Sequence, residues 1–424
     1  MRSSGLSLDQ APPEDIPFRF FITAPVFGLL AGSFVLYRGS SLFSSSWSFE
    51  TIALTHLITL GWVIMVMMGA FYQMVPVLVG GQVPWISFSR LVHALLSLGV
   101  IALIGGLLQY SPLLYPLAIS TLLLAFIIFL TQLLTALFSV EAKRPIVTAM
   151  RISLVSLTFA VLLGILEIGT FSGLWPALLD RTILKSLHIT LALTGAVGGL
   201  IVGVGFHVIP MFYLSSPFPQ QRAVWILRTG MFSLAAVSLS LLLSANSTTL
   251  LLVTLPGVLA SIIYAATVLR MLQQRKRKVV DATLRFWQIG LLAFPFSLLC
   301  LTVSFFWTDE RLLFGFGLLF LLGFAVTITN GMLYKIVPFL IWFHRFSSLV
   351  GKAKVPLLKD ILPEKRTRGQ LHFATLALFL LLPGAILQID GLVRIAGVCW
   401  MVSSLWLGLN LMHALRLKPV LYEQ

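Results

Sequence analysis

Apolar residues in this chain gather in blocks of about twenty or more, broken by short polar stretches, along its whole length of 424 residues. A helix rising about 1.5 Å per residue needs about twenty residues to cross a hydrocarbon core of about 30 Å. The blocks therefore predict membrane-spanning helices near 17–37, 51–79, 88–109, 112–138, 146–170, 182–214, 223–245, 248–272, 284–307, 311–343, 370–389 and 391–415. Ten-residue segments of alternating polarity, which a membrane β-barrel requires, do not recur. The fold class that follows is all-α, with about twelve transmembrane helices in one polytopic domain. Several spans exceed 25 residues, which predicts tilt or projection beyond the bilayer.

Composition agrees with the pattern. The chain is 58% hydrophobic and 10% charged, whereas a soluble domain carries about 25% charged residues. The net charge of +15 does not point to nucleic acid, because the basic residues sit in loops between spans. Sorted by side, 23 of the 29 Lys and Arg fall on the side that holds both chain ends, among them Arg90, Lys143, Arg144, Arg275, Lys276, Arg277, Lys278 and Arg345. The opposite side has Arg38, Arg181, Lys185, Arg311 and Arg394, and Lys335 lies within a span. Positive charge concentrates on the cytoplasmic side, so both termini are expected there, with the protein in the inner membrane. The longest loop, 344–369, reads as a basic anchor against anionic headgroups. The N-terminal MRSSGLSLDQAPPEDIP lacks a signal-peptide pattern and reads as a short tail before the first span. Cys300 and Cys399 lie in apolar spans with no metal or disulfide spacing.

Three spans share a motif. The second reads LGWVIMVMMGAFYQMVP, the sixth TGAVGGLIVGVGFHVIP and the tenth LGFAVTITNGMLYKIVP. A glycine is followed eight residues later by another (Gly61 and Gly69, Gly195 and Gly203, Gly323 and Gly331), then by an aromatic (Tyr72, Phe206, Tyr334) and a proline (Pro76, Pro210, Pro338). The copies lie 134 and 128 residues apart, one per four helices. Small residues are ordinary packing devices in membranes, but four matched positions in three copies predict three four-helix units about a pseudo-threefold axis, near 17–138, 146–272 and 284–415. The glycines let these helices approach closely, and the prolines kink their cytoplasmic ends.

Twelve helices in three such repeats, with cytoplasmic termini, resemble the catalytic subunit of haem-copper oxidases and nitric oxide reductases. The stretch His56-LITLGWVIMVMMGAFYQMVP is similar to that family's second helix, where a histidine near the outer surface ligates the low-spin haem. The NnrS family of haem-binding membrane proteins, associated with nitric oxide response, has a similar architecture. The resemblance implies a b-type haem and respiratory-chain subunits or cytochromes as partners, beside membrane lipid. It also departs from the family. The seventh span has no histidine where the oxidases place two copper ligands, and the tenth has none before His344. A complete oxygen-reducing centre cannot be built from these residues, and copper is not expected.

The histidines differ in depth and in what they can do. His56 and His188 lie five or six residues into the second and sixth spans from the outer side, at similar depth. Buried polar residues in membranes are costly enough to suggest function. Either His56 ligates a b-type haem, with His188 as second axial ligand or in a separate metal site, or each hydrogen-bonds a neighbouring helix. His93 and His207 lie near the cytoplasmic ends of their spans, and His207 is about 28 Å from His188 along the helix. Those two serve an inner haem or are satisfied polar side chains. The repeat also places Gln73, His207 and Lys335 at one position, three residues before each proline. They form either a proton or anion site on the axis or a structural network. Glu167 is similarly ambiguous, with Asp180, Arg181 and Lys185 as candidate partners. His344, His372 and His413 read as interfacial. Two functions compete with haem binding: a cofactor-free transporter or channel, and a membrane scaffold for assembling a respiratory complex.

Overall fold

A computed structural model of the protein describes residues 10–418 except 142, 143, 277, 308 and 353. The first nine residues of the tail, with Lys143 and Arg277 from the charge tally, lie outside the described residues. Among the described residues there is no strand, and twelve helices are long and apolar enough to cross a membrane. They are α1 Asp15–Phe43, α2 Phe49–Val79, α3 Ile86–Gln109, α4 Leu114–Phe138, α5 Pro145–Phe171 and α6 Arg181–Tyr213. Then follow α7 Gln220–Leu242, α8 Ser247–Gln273, α9 Ala282–Ser304, α10 Glu310–Leu349, α11 Glu364–Ile386 and α12 Asp390–Leu415.

Polar residues between the apolar blocks start several of these helices. Ser48, Asp180, Asn246, Asp281 and Asp309 each accept a hydrogen bond from a backbone N–H of the first turn. Those N–H groups otherwise lack partners. The predicted spans appear in order, with ends displaced. α11 begins at Glu364, not near 370, and α10 runs to Leu349. The basic segment before residue 370 is thus partly helical, because Glu, Lys and Arg wind readily once outside the bilayer.

α2, α6 and α10 occupy the centre. Between 61% and 78% of the apolar stretch of each is buried, against 22–50% for the other helices. Those nine close a ring: α1 packs on α3 and α12, α4 on α3 and α5, α7 on α5 and α8, α9 on α8 and α11, and α11 on α12. Each central helix contains a stretch wound as π-helix, at Leu57–Ile64, Thr190–Gly198 and Leu319–Val326. These stretches hold Gly61, Gly195 and Gly323, and that of α10 touches those of α2 and α6. A π turn inserts one extra residue and re-aims the side chains on either side of it.

The motif glycines do not face the other central helices. A Cβ on Gly61 or Gly69 would run into Phe27 and Phe20 of α1, on Gly195 or Gly203 into Ser156 and Ala149 of α5, and on Gly323 or Gly331 into Ala293 and Phe286 of α9. The residues met on each outer helix are seven apart, two helical turns, as are the paired approaches they allow. The aromatics reach a different neighbour. Tyr72 donates to Gln132 Oε1 of α4 at 2.8 Å, and Asn410 Nδ2 of α12 donates to Tyr334 at 2.9 Å. Phe206 packs edge-on against Tyr264 of α8, ring centres 6.0 Å apart.

The segments at the two ends of the chain meet on one face of the bundle, the terminal face. There Arg345, late in α10, pairs with Glu14 at 3.0 Å and donates to the carbonyls of Leu415 and Leu417 at 2.8 Å. On the far face, Arg394 binds Asp390 and the carbonyls of Leu36 and Tyr37, and Arg38 pairs with Glu50.

Candidate haem site

Near the far face, α2 and α6 each bring one imidazole to the same cavity. His56 ends the α-helical opening of α2, directly before its π stretch, and its Nδ1 lies 2.8 Å from Ile52 O, one turn back. His188 stands two residues before the π stretch of α6, and its Nδ1 lies 2.8 Å from Ala160 O of α5. A carbonyl oxygen can only accept, so in both rings Nδ1 carries the proton. Nε2 is left with its lone pair, and neither Nε2 has a hydrogen-bond partner among the described residues. This is the tautomer of a metal-ligating histidine whose other nitrogen is held in place.

The two ring centres are 6.2 Å apart and the ring planes differ by 23°. A first-row metal sits about 2.0–2.1 Å from an imidazole nitrogen, and adding roughly 1.1 Å from nitrogen to ring centre puts two in-line ligands of one metal about 6.3 Å apart, centre to centre. That separation leaves the two imidazoles close enough to share one metal ion. Gly164 of α5 makes room for one of them: a Cβ there would lie 2.9 Å from His188 Cε1. The cavity, of about 200 Å³, is bounded by α2, α3, α4, α5 and α6. Its wall is apolar, with Leu103, Leu122, Phe126, Leu157 and Phe171, and polar groups gather toward the far face, at Ser46, Trp47, Glu167 and Lys185.

No protein-family model matches the chain, and no curated protein matches its sequence. The chemistry of the site is therefore read from its own donors, walls and charges.

The mouth of the cavity is tied together by hydrogen bonds. Lys185 Nζ donates to Ser46 O at 3.1 Å and to Ser46 Oγ at 2.8 Å, and lies 3.7 Å from the centre of the Trp47 ring. The backbone N–H of Ser46 donates to Glu310 Oε2 at 2.9 Å. The loop between α1 and α2 is thereby fastened to the starts of both α6 and α10. The Arg181 guanidinium rests over Phe171, 4.0 Å from its ring centre. Asp180, Arg181 and Lys185 are the loop partners that the sequence offers to Glu167, whereas the roles of Ser46, Glu310 and Gly164 are not legible there. A lone serine or glycine in a run of similar residues carries no signal until another helix faces it.

The remaining candidates lie elsewhere. His93 Nε2 is 2.9 Å from Thr23 Oγ1 of α1, and its ring meets Phe20 edge-on. His207 is exposed near the terminal face and has no hydrogen-bond partner among the described residues. Lys335 binds Asp281 at 2.6 Å and lies 5.2 Å from the Tyr213 ring centre. Burial alone would raise the Asp281 carboxyl. The Lys335 charge and hydrogen bond, with donors from Thr283 and Leu284 N, outweigh it and hold the group below the usual carboxylate range. Gln73 is buried with Oε1 unpartnered, in a small apolar cavity between α2, α6 and α10. Gln73, His207 and Lys335 are thus not hydrogen-bonded to one another, although they share a position in the motif. Among the described residues, no three His, Cys, Asp or Glu side chains converge as a metal site.

Proposed function

We propose that the protein holds a b-type haem between His56 and His188 and passes single electrons through it. The observation that carries this reading is the pair of imidazoles 6.2 Å apart, each anchored through Nδ1 with Nε2 free. A bound haem supplies reversible one-electron chemistry at its iron, and two imidazole ligands favour the low-spin state suited to electron transfer. The backbone carbonyls of Ile52 and Ala160 fix both rings before any ligand arrives, which limits the cost of ordering them. The apolar wall from α3, α4 and α5 keeps water from the ligating atoms. Were both imidazoles to hold the iron, a gas molecule would reach it only on release of one of them, so gas binding is the secondary reading. Copper has no place in the scheme, since both outer histidines are spent on iron.

The same proposal takes the scaffold to be a divergent relative of the haem-copper oxidase fold, built of three four-helix units about a pseudo-threefold axis. Supporting it are the π stretch, the glycine approach to the preceding outer helix and the aromatic contact to the fourth helix, which recur at matched positions of α2, α6 and α10. The ligand pair departs from the oxidase pattern, with α6 supplying the partner that the family draws from its tenth helix. The excess of Lys and Arg on the terminal face supports cytoplasmic ends in an inner membrane.

The absorption spectrum of the purified protein tests the reading. Sharp Soret and α bands of low-spin b-type haem are expected, with little response to carbon monoxide. In His56→Ala or His188→Ala the bands should shift to a high-spin form that binds carbon monoxide, because an axial position opens. A wild-type protein purified from haem-replete cells without any haem would overturn it, as would low-spin bands unchanged in both variants.

A further inference from the structure

α6 separates two cavities. Ile189, Ala192 and Leu193 line the His56–His188 cavity, whereas Thr190, Thr194 and Gly195 line a second one, of about 140 Å³, bounded by α5, α6, α7, α8 and α9. Thr190 stands five residues before Gly195, as His56 stands five before Gly61. The shared motif thus puts a hydroxyl in the second cavity where the first has an imidazole. Among the described residues that line it there is no His, Cys, Asp, Glu, Lys or Arg. Nothing there pairs with a charge, so the space suits a neutral occupant.

Two glycines keep this space open. Gly199 of α6 and Gly230 of α7 lie within helix and line the cavity, and a Cβ on either would touch nothing within 4 Å. Glycine inside a helix is less favourable than alanine, and here neither close packing nor an unusual backbone conformation requires it. What these two positions provide is room. Most hydroxyls on the walls are already committed. Thr194, Ser233, Thr254, Ser261 and Thr302 donate to backbone carbonyls at 2.6–2.9 Å. Tyr264 has no partner, but its oxygen lies against Gly205 of α6, which is outside the lining. Thr190 is 8% exposed, and its hydroxyl has no hydrogen-bond partner among the described residues. An unsatisfied hydroxyl in apolar surroundings is costly, and an acceptor oxygen on a ligand would satisfy it. Met231, half exposed on the outside of α7, also lines the cavity, and α7 is the least buried of the twelve helices. The way in is therefore from the lipid.

We propose that the second cavity binds a neutral ring compound from the lipid phase, its carbonyl oxygen accepting a hydrogen bond from Thr190. An apolar protein cavity of roughly 150 Å³ takes up benzene, so one ring or two small fused rings match the volume. Room on both α6 and α7 suits a ring better than an acyl chain, which needs a narrow groove. The inference does not rest on the haem reading, since no residue lines both cavities.

The probes that test it are 1-indanone and indane, which share a fused-ring skeleton and differ in the carbonyl. Retention of each by the detergent-purified full chain is measured by equilibrium dialysis against matched detergent. 1-Indanone should bind more tightly than indane. Thr190→Val, close in shape, should weaken 1-indanone about fivefold and leave indane nearly unchanged. Gly199→Leu and Gly230→Leu should each fill the cavity and abolish binding of both probes, with the protein still monodisperse and its unfolding temperature no lower. Equal affinity of the wild-type chain for the two probes would overturn the proposal. So would binding of neither, or binding that survives in both leucine variants.

Discussion

Gly164 decides where His188 can place its ring. The glycine sits on α5 one turn from Ala160, whose carbonyl holds His188 Nδ1, and a Cβ at position 164 would press on Cε1 at 2.9 Å. Ala160 supplies the hydrogen bond and Gly164 the space, and both act through backbone rather than side-chain chemistry. Gly164→Ala should shift the ring by a few tenths of an ångström and leave unchanged the low-spin bands that the proposed haem would show. Gly164→Val adds two methyl groups beyond that Cβ, and a shift that accommodates the Cβ alone does not make room for them. Loss of the low-spin bands in the valine variant, with the protein still monodisperse in detergent, is the expected result. A valine variant with a wild-type spectrum would show that His188 is not a ligand.

At the scale of helices, the glycine pairs set how closely each central helix lies against the outer helix before it. Packing between membrane helices depends on such close approach, since lipid offers no hydrophobic contrast to drive it. Gly203 and Ala149 make the tightest of these contacts, with no room for a second methyl group. Gly203→Ala should therefore cost about 1–3 kcal/mol, the range for overpacking a filled interface. Adding Ala149→Gly moves the methyl group from one helix to the other and should recover most of that loss. Thermal unfolding in detergent across the four variants measures the coupling between the positions. Additive effects would mean that α5 and α6 do not meet there.

For the whole molecule, the arrangement across the membrane follows from an even number of spans and an uneven spread of charge. The terminal face gathers Arg345 with Glu14, Arg90 with Asp15, and Lys335 with Asp281, while the far face carries the cavity mouth at Ser46 and Lys185. A cytoplasm-active reporter fused after Gln424 or within 350–357 should be active, and one at Ser247, the first residue of α8, should be silent. The opposite result would invert the protein and put the cavity mouth in the cytoplasm.

Much of this was legible before any coordinates. Blocks of about twenty apolar residues have one stable form in a bilayer, so the twelve spans could be read directly, with errors only at ends such as 364–370 where polar helix extends into water. His56 and His188 could be singled out because an imidazole in an apolar run is costly. Depth alone also suggested that they lie level. What only the tertiary structure decided was which partners meet. Motif equivalence placed Gln73, His207 and Lys335 together, yet Lys335 turns to Asp281 and His207 faces outward. A shared position in a repeat fixes a residue's place on its own helix, but the direction of a long side chain follows the nearest opposite charge. The glycines likewise approach α1, α5 and α9 and not the axis, and the Ser46–Lys185–Glu310 link joins residues more than a hundred positions apart. Such pairings depend on how helices rotate about their own axes in the bundle, and the π stretches at Leu57–Ile64 and Thr190–Gly198 change that rotation just beyond the two histidines.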